Sequence, residues 1–144
     1  MQTTANHFRS ESPRILIAED LPLIAMDLEQ GLLDLCAART ATVRTVADFE
    51  LAMHHSEWDV VLTETRLAGV STAPLVETLL ARGIRVIVCS AERSPHAPFD
   101  RTLAVTKPYD WQELAGIVQS ALPPALSASL MCSAQLGSRV AQDA

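Results

Sequence analysis

The chain has 144 residues, 49% hydrophobic and 19% charged, a size and composition that suit one globular domain with its own core. No apolar run approaches the roughly 18 residues that a membrane span requires, and the polar start, residues 1–14, lacks the apolar block of a signal peptide, so a cytoplasmic location is expected. The net charge of −6, with no clustered Lys or Arg, argues against direct nucleic-acid binding, and three widely spaced cysteines argue against a disulfide framework or a CxxC metal site.

In chain order, residues 1–13 read as a polar leader ending at Pro13. Residues 14–18 form a short apolar strand that runs into Glu19 and Asp20. Pro22 suits a first helical turn, and an apolar face of Leu23, Ala25/Met26, Leu28, Leu32/Leu33 and Leu35/Cys36 predicts a helix over 23–38. The β-branched alternation of 42–47 predicts a second strand, and Asp48 is the expected cap of a helix reaching 56. Residues 60–63 form a third strand ending at Glu64, and 67–71 read as a loop. Ser71 or Thr72 is expected to cap a helix to Arg82 that Gly83 terminates. A fourth strand covers 85–89 and a fifth 103–106. Asp110 caps a last helix over 111–122, stopped by Pro123-Pro124. Between the last two strands, Pro95 and Pro98 and a weak periodicity predict a short or irregular segment in place of a full helix. The tail, 123–144, carries only a weak apolar spacing (Leu126, Leu130, Met131).

Strands alternating with helices predict an α/β fold: a parallel sheet covered on both faces, a three-layer (βα)5 sandwich of flavodoxin-like strand order 2-1-3-4-5. In such a sheet the strand ends share one edge. Glu19 and Asp20, Glu64, Ser90 and Lys107 all fall at strand ends and are therefore expected to converge. On these motifs, together with Lys107-Pro108 and the Leu67-Ala68-Gly69 turn, residues 14–122 resemble the receiver domain of two-component response regulators, here in stand-alone form.

The resemblance implies that Glu64 stands at the phosphoacceptor position, where the family has aspartate. It implies that Ser90 and Lys107 contact the phosphoryl group, and that Lys107-Pro108 is cis. A magnesium ion would be held by Glu19, Asp20, Glu64 and the backbone carbonyl of Arg66. Glu64 has one methylene more than aspartate, which moves its carboxylate outward by about one C–C bond, ~1.5 Å. A misplacement of about 1 Å can cost on the order of 10²-fold in rate. Poor or absent phosphotransfer is therefore expected, with magnesium weakly held or absent. The displaced carboxylate can reach Ser90 or Lys107 and imitate part of the charge of a phosphate. The position three residues before Lys107, often aromatic in the family, is Ala104, so the usual coupling of hydroxyl and aromatic ring lacks a partner.

The resulting expectation is a non-enzymatic pseudo-receiver that signals through protein contacts. Its partner would be a histidine kinase, a phosphotransferase or a downstream regulator. The expected contact face is the last helix, the fifth strand and the loop before it, which could also form a homodimer. The rival readings are an active phosphoacceptor, taking phosphate at Asp20, Glu64, Thr63 or Thr65, and a scaffold subunit of a kinase complex. A metal-dependent phosphatase is disfavoured because Glu19-Asp20 lacks the Asp-x-Asp spacing. His54-His55 point about 100° apart on a helix and make a poor metal pair, and no Gly-rich phosphate loop follows the first strand.

Overall fold

The computed structural model describes residues 12–36, 38–91 and 96–123. Its elements, in order, are β1 (Arg14–Ala18), α1 (Pro22–Cys36), β2 (Arg39–Val43), α2 (Val46–His55), β3 (Val60–Thr63), β4 (Arg66–Leu67), β5 (Val70–Ser71), α3 (Ala73–Ala81), β6 (Arg85–Ser90), a single 3₁₀ turn (Phe99–Arg101), β7 (Leu103–Thr106) and α4 (Trp111–Ala121). Five of the strands form one parallel sheet in the order β2-β1-β3-β6-β7. This is the expected order of the five strands, with helices on both faces.

The strands alternate between two apolar layers. Ile15, Ile17, Val60, Leu62, Ile87 and Cys89 pack beneath α1 and α4, against Leu28, Leu32, Leu114 and Val118. Leu16, Ala18, Val61, Val86 and Val88 pack beneath α2 and α3, against Phe49, Met53, Val76 and Leu79. A strand buried on both sides must be apolar through its interior, which is why 15–18, 60–62 and 86–89 read as apolar runs. Cys89 is a buried free thiol whose ionisation burial pushes up to about 12, so it behaves as a small core residue.

The elements depart from the sequence reading at four places. The second strand is Arg39–Val43, three residues earlier than predicted, because Arg39 must stand opposite Arg14 for the ladder to β1 to form. That shift frees Thr45 to cap α2: its hydroxyl accepts the Asp48 N–H at 3.1 Å, and Asp48 lies within the first turn instead of capping it. The expected loop at 67–71 contains a small antiparallel hairpin, β4–β5, whose turn residues Ala68 and Gly69 both have positive φ (49° and 82°). In α1 the buried face is Ala25, Leu28 and Leu32, whereas Leu23, Met26 and Leu33 are exposed. A helical period of 3.6 allows one apolar stripe toward the sheet and places these neighbours off it.

Of the segment between β6 and β7, residues 96–101 hold only the 3₁₀ turn, in keeping with the short segment expected there. Residues 92–95 lie outside the described residues, as do residues 1–11 of the leader and 124–144 of the tail. Ala104 is half-buried in β7. Among the described residues no helix is long and apolar enough to cross a membrane.

Candidate functional site

The parallel ladders bring the carboxyl ends of β1, β3, β6 and β7 to one edge of the sheet. Backbone hydrogen bonds hold the first residues beyond the strands in place. Glu19 N–H donates to the Val43 carbonyl at 3.0 Å, Glu64 N–H to the Ala18 carbonyl at 3.3 Å, and Lys107 N–H to the Ser90 carbonyl at 2.8 Å. Ser90 closes β6, buried and in register with Thr106. The Lys107-Pro108 bond is cis.

Lys107 is the centre of the cleft. Its ammonium donates to Glu19 Oε2 at 3.0 Å and makes a direct ion pair with Glu64 Oε1. Glu19 is 1% exposed, yet both its oxygens are engaged, because Oε1 accepts the Leu21 N–H at 3.2 Å. The side chains of Lys107 and Glu64 are 18% and 17% exposed, so solvent screens the triad little. Burial and the hydrogen bond and charge of Glu19 raise Glu64 to about 7, against the opposing pull of Lys107. Burial alone would lower Lys107, but its hydrogen bonds and ion pairs to Glu64 and Glu19 outweigh burial and raise it.

Glu64 therefore exchanges its proton near neutrality, while Lys107 keeps its charge. An acid whose folded value exceeds its unfolded value binds more protons in the folded state, so folding loses stability as pH rises between the two values. For Glu64 that window runs from 4.5 to about 7. Relative to Glu64→Gln, the wild type is expected to lose on the order of 1–2 kcal/mol as pH is raised from about 5 to about 8. Parallel thermal melts of the two proteins check this; equal pH profiles would refute it.

Thr72 was read from the sequence only as a candidate helix cap. It is fully buried, its hydroxyl makes no capping bond, and it lies within hydrogen-bond distance of the Glu64 carbonyl (2.7 Å) and the Thr65 carbonyl (3.1 Å). Thr63 Oγ1 donates to the same Glu64 carbonyl at 2.9 Å. Two hydroxyls thus fix the backbone from which Glu64 projects. The packing of Trp111 was also hidden. Its ring lies over Gly31 of α1, where an added Cβ would be 2.6–2.8 Å from three ring atoms. Trp111 follows the Lys107–Asp110 segment directly, so this contact seats the segment that carries the lysine. A glycine inside an otherwise good helix is the only sequence signal for it.

Not every expected ligand joins the cleft. Asp20 Oδ2 accepts the Ala68 N–H at 3.0 Å, in the turn of the β4–β5 hairpin. Arg66, whose carbonyl was the fourth expected ligand, opens β4 opposite Ser71. A hard cation needs several oxygens turned to one point. Here Asp20 is engaged with an amide, while Glu19 and Glu64 are engaged with Lys107. Among the described residues no group of three or more His, Cys, Asp or Glu is placed to hold a metal ion. As arranged, the donor set does not fit magnesium.

A parallel five-stranded sheet with acids, a hydroxyl and a lysine at its carboxyl edge is the architecture of receiver domains, and solved structures agree. The receiver domain of the response regulator PhyR from Erythrobacter litoralis is 31% identical, with a TM-score of 0.67 over 76% of this chain and 89% of that one. SdrG from Sphingomonas melonis is 28% identical, with a TM-score of 0.66 over 85% and 99%. The receiver domain of a sensor histidine kinase from Pseudomonas aeruginosa, solved with a magnesium ion in its active-site cleft, is 19% identical, with a TM-score of 0.63 over 76% and 96%. No protein-family model and no curated protein matches the chain. The chain belongs to the receiver-domain family of response regulators, whose members take part in two-component signalling and interact with histidine kinases and other regulators.

Proposed function

We propose that this chain is an atypical receiver that signals by protein contact, with Glu64 standing in for a phosphorylated aspartate. The observation that carries this reading is the direct ion pair between Glu64 and Lys107. The acceptor position already presents a carboxylate to the lysine that, in a receiver, meets the phosphoryl group. A single charge imitates only part of a phosphate, which carries about −1.5 to −2. The extra methylene also removes the carboxylate from the position that in-line attack requires. The partner is a histidine kinase, a phosphotransferase or a downstream regulator, and the contact surface is α4, β7 and the turn at Phe99–Arg101. The protein carries no enzymatic activity of its own in this reading.

The test is phosphoryl transfer itself. The wild type and Glu64→Asp are incubated with acetyl phosphate and magnesium, and the mass of the intact protein is read. Glu64→Asp, whose shorter side chain draws its carboxylate back from Lys107 and leaves room for magnesium, is expected to acquire one phosphoryl group at least about 10²-fold faster than the wild type. Labelling of the wild type at a comparable rate would overturn the reading. Labelling of neither protein would mean that the pocket has changed beyond one residue, and would favour a scaffold.

A further inference from the structure

Three carboxylates stand at one sheet edge, and each already has a partner within the domain. Glu19 has both oxygens occupied, Glu64 is paired to the same ammonium, and Asp20 is bonded to a backbone amide. An ammonium has three donors, and two of them serve the two glutamates. We propose that Lys107 is the resident cation of this cleft: it pairs with the two glutamates that a divalent ion would otherwise bridge, so the domain neither binds nor requires magnesium.

The argument is one of competition. A magnesium ion keeps its oxygen ligands at about 2 Å and gives up its waters reluctantly. To enter, it would have to take Glu64 and Glu19 from the lysine, or sit beside an ammonium already in contact with both, where like charges repel. Asp20 could offer it only the oxygen that does not accept the Ala68 N–H. Taking either glutamate breaks a bond already made in a cleft where the central side chains are more than four-fifths shielded from water.

The ammonium also acts as a tether. It joins residues 88 and 43 positions apart in sequence and so links the ends of β1, β3 and β7. That edge therefore takes one arrangement whether or not a metal is supplied. The inference holds independently of whether Glu64 imitates a phosphoryl group, because it concerns only what the two glutamates are paired with.

The test uses the full chain, stripped with EDTA, and manganese as a paramagnetic probe read by water-proton relaxation. The wild type is expected to show no saturable manganese binding tighter than about 10 mM, and the same Tm in EDTA as in about 10 mM magnesium. Lys107→Met is expected to bind manganese at least about tenfold more tightly, and to gain Tm from magnesium. Lys107→Arg keeps the charge and is expected to stay unresponsive. Saturable low-millimolar binding by the wild type, displaced by magnesium, would overturn the proposal even if Lys107→Met failed to fold. So would binding by Lys107→Arg as tight as by Lys107→Met. No partner or phosphodonor enters this experiment, so its outcome is separable from that of the labelling test.

Discussion

Lys107→Met is expected to lower the unfolding free energy by about 3 kcal/mol near neutral pH, and Tm by roughly 10 °C for a domain of this size. The methionine keeps most of the side-chain volume, so the loss comes from charge and not from a cavity. Removing one partner of a buried ion pair leaves the other without compensation, and here two carboxylates lose it together. Glu64 can relieve part of the penalty by taking a proton, since it already titrates at about 7. Glu19, at 1% exposure, cannot recover hydration and carries most of the cost. The destabilisation should therefore shrink as pH falls toward about 5, where Glu64 is neutral. Adding Glu64→Gln should restore part of the loss by removing one buried acid, and the double-mutant cycle gives the coupling directly. Denaturant unfolding of the four proteins measures these differences. A loss below about 1 kcal/mol would show that the triad behaves as an exposed ion pair.

Gly31→Ala should destabilise the domain, although alanine is the better helix former by about 1 kcal/mol. The opposing effect is steric. The new Cβ would stand 2.6–2.8 Å from three atoms of the Trp111 ring, closer than real contacts allow. Overpacking of this kind costs typically about 1–3 kcal/mol, because a stiff indole cannot yield as a flexible chain end can. The net loss for alanine is about 1 kcal/mol, and for Gly31→Leu about 3 kcal/mol, since the larger side chain evicts the ring. Displacing Trp111 also disturbs the segment running back to Lys107, so the change should reach the cleft. Trp111 emission, read in a Trp58→Phe background because the chain has two tryptophans, should shift toward that of a solvent-exposed indole. A Gly31→Ala variant as stable as the wild type, with unchanged emission, would place the ring elsewhere.

The strand ends were legible because of a simple constraint. A central parallel strand must be apolar on both faces, so the first polar residue after each run marks the sheet edge. That rule located Glu19 and Ser90 without knowledge of any contact; Glu64 lies one residue past Thr63, and Lys107 follows the edge strand β7, where the resemblance marked it. It served less well at β2, an edge strand with Thr40, Ala41 and Thr42 in an unremarkable setting, where register against β1 decided the bounds. The cap of α2 went to Thr45 for the same reason: which polar residue caps a helix depends on where the preceding strand stops. The β4–β5 hairpin was hidden by its brevity, since two residues a side leave no period to detect.

By itself, the sequence determined the class of fold, the order of its strands and the set of side chains delivered to one edge, because apolar periodicity is a local property that burial enforces everywhere along the chain. Tertiary structure alone decided which of those side chains meet. Glu19, Glu64 and Lys107 join in one triad while Asp20 turns to the Ala68 amide, and Trp111 rests on Gly31. Such pairings depend on side-chain reach and competing partners across separations of tens of residues, and a linear pattern does not encode who arrives first at a shared ammonium.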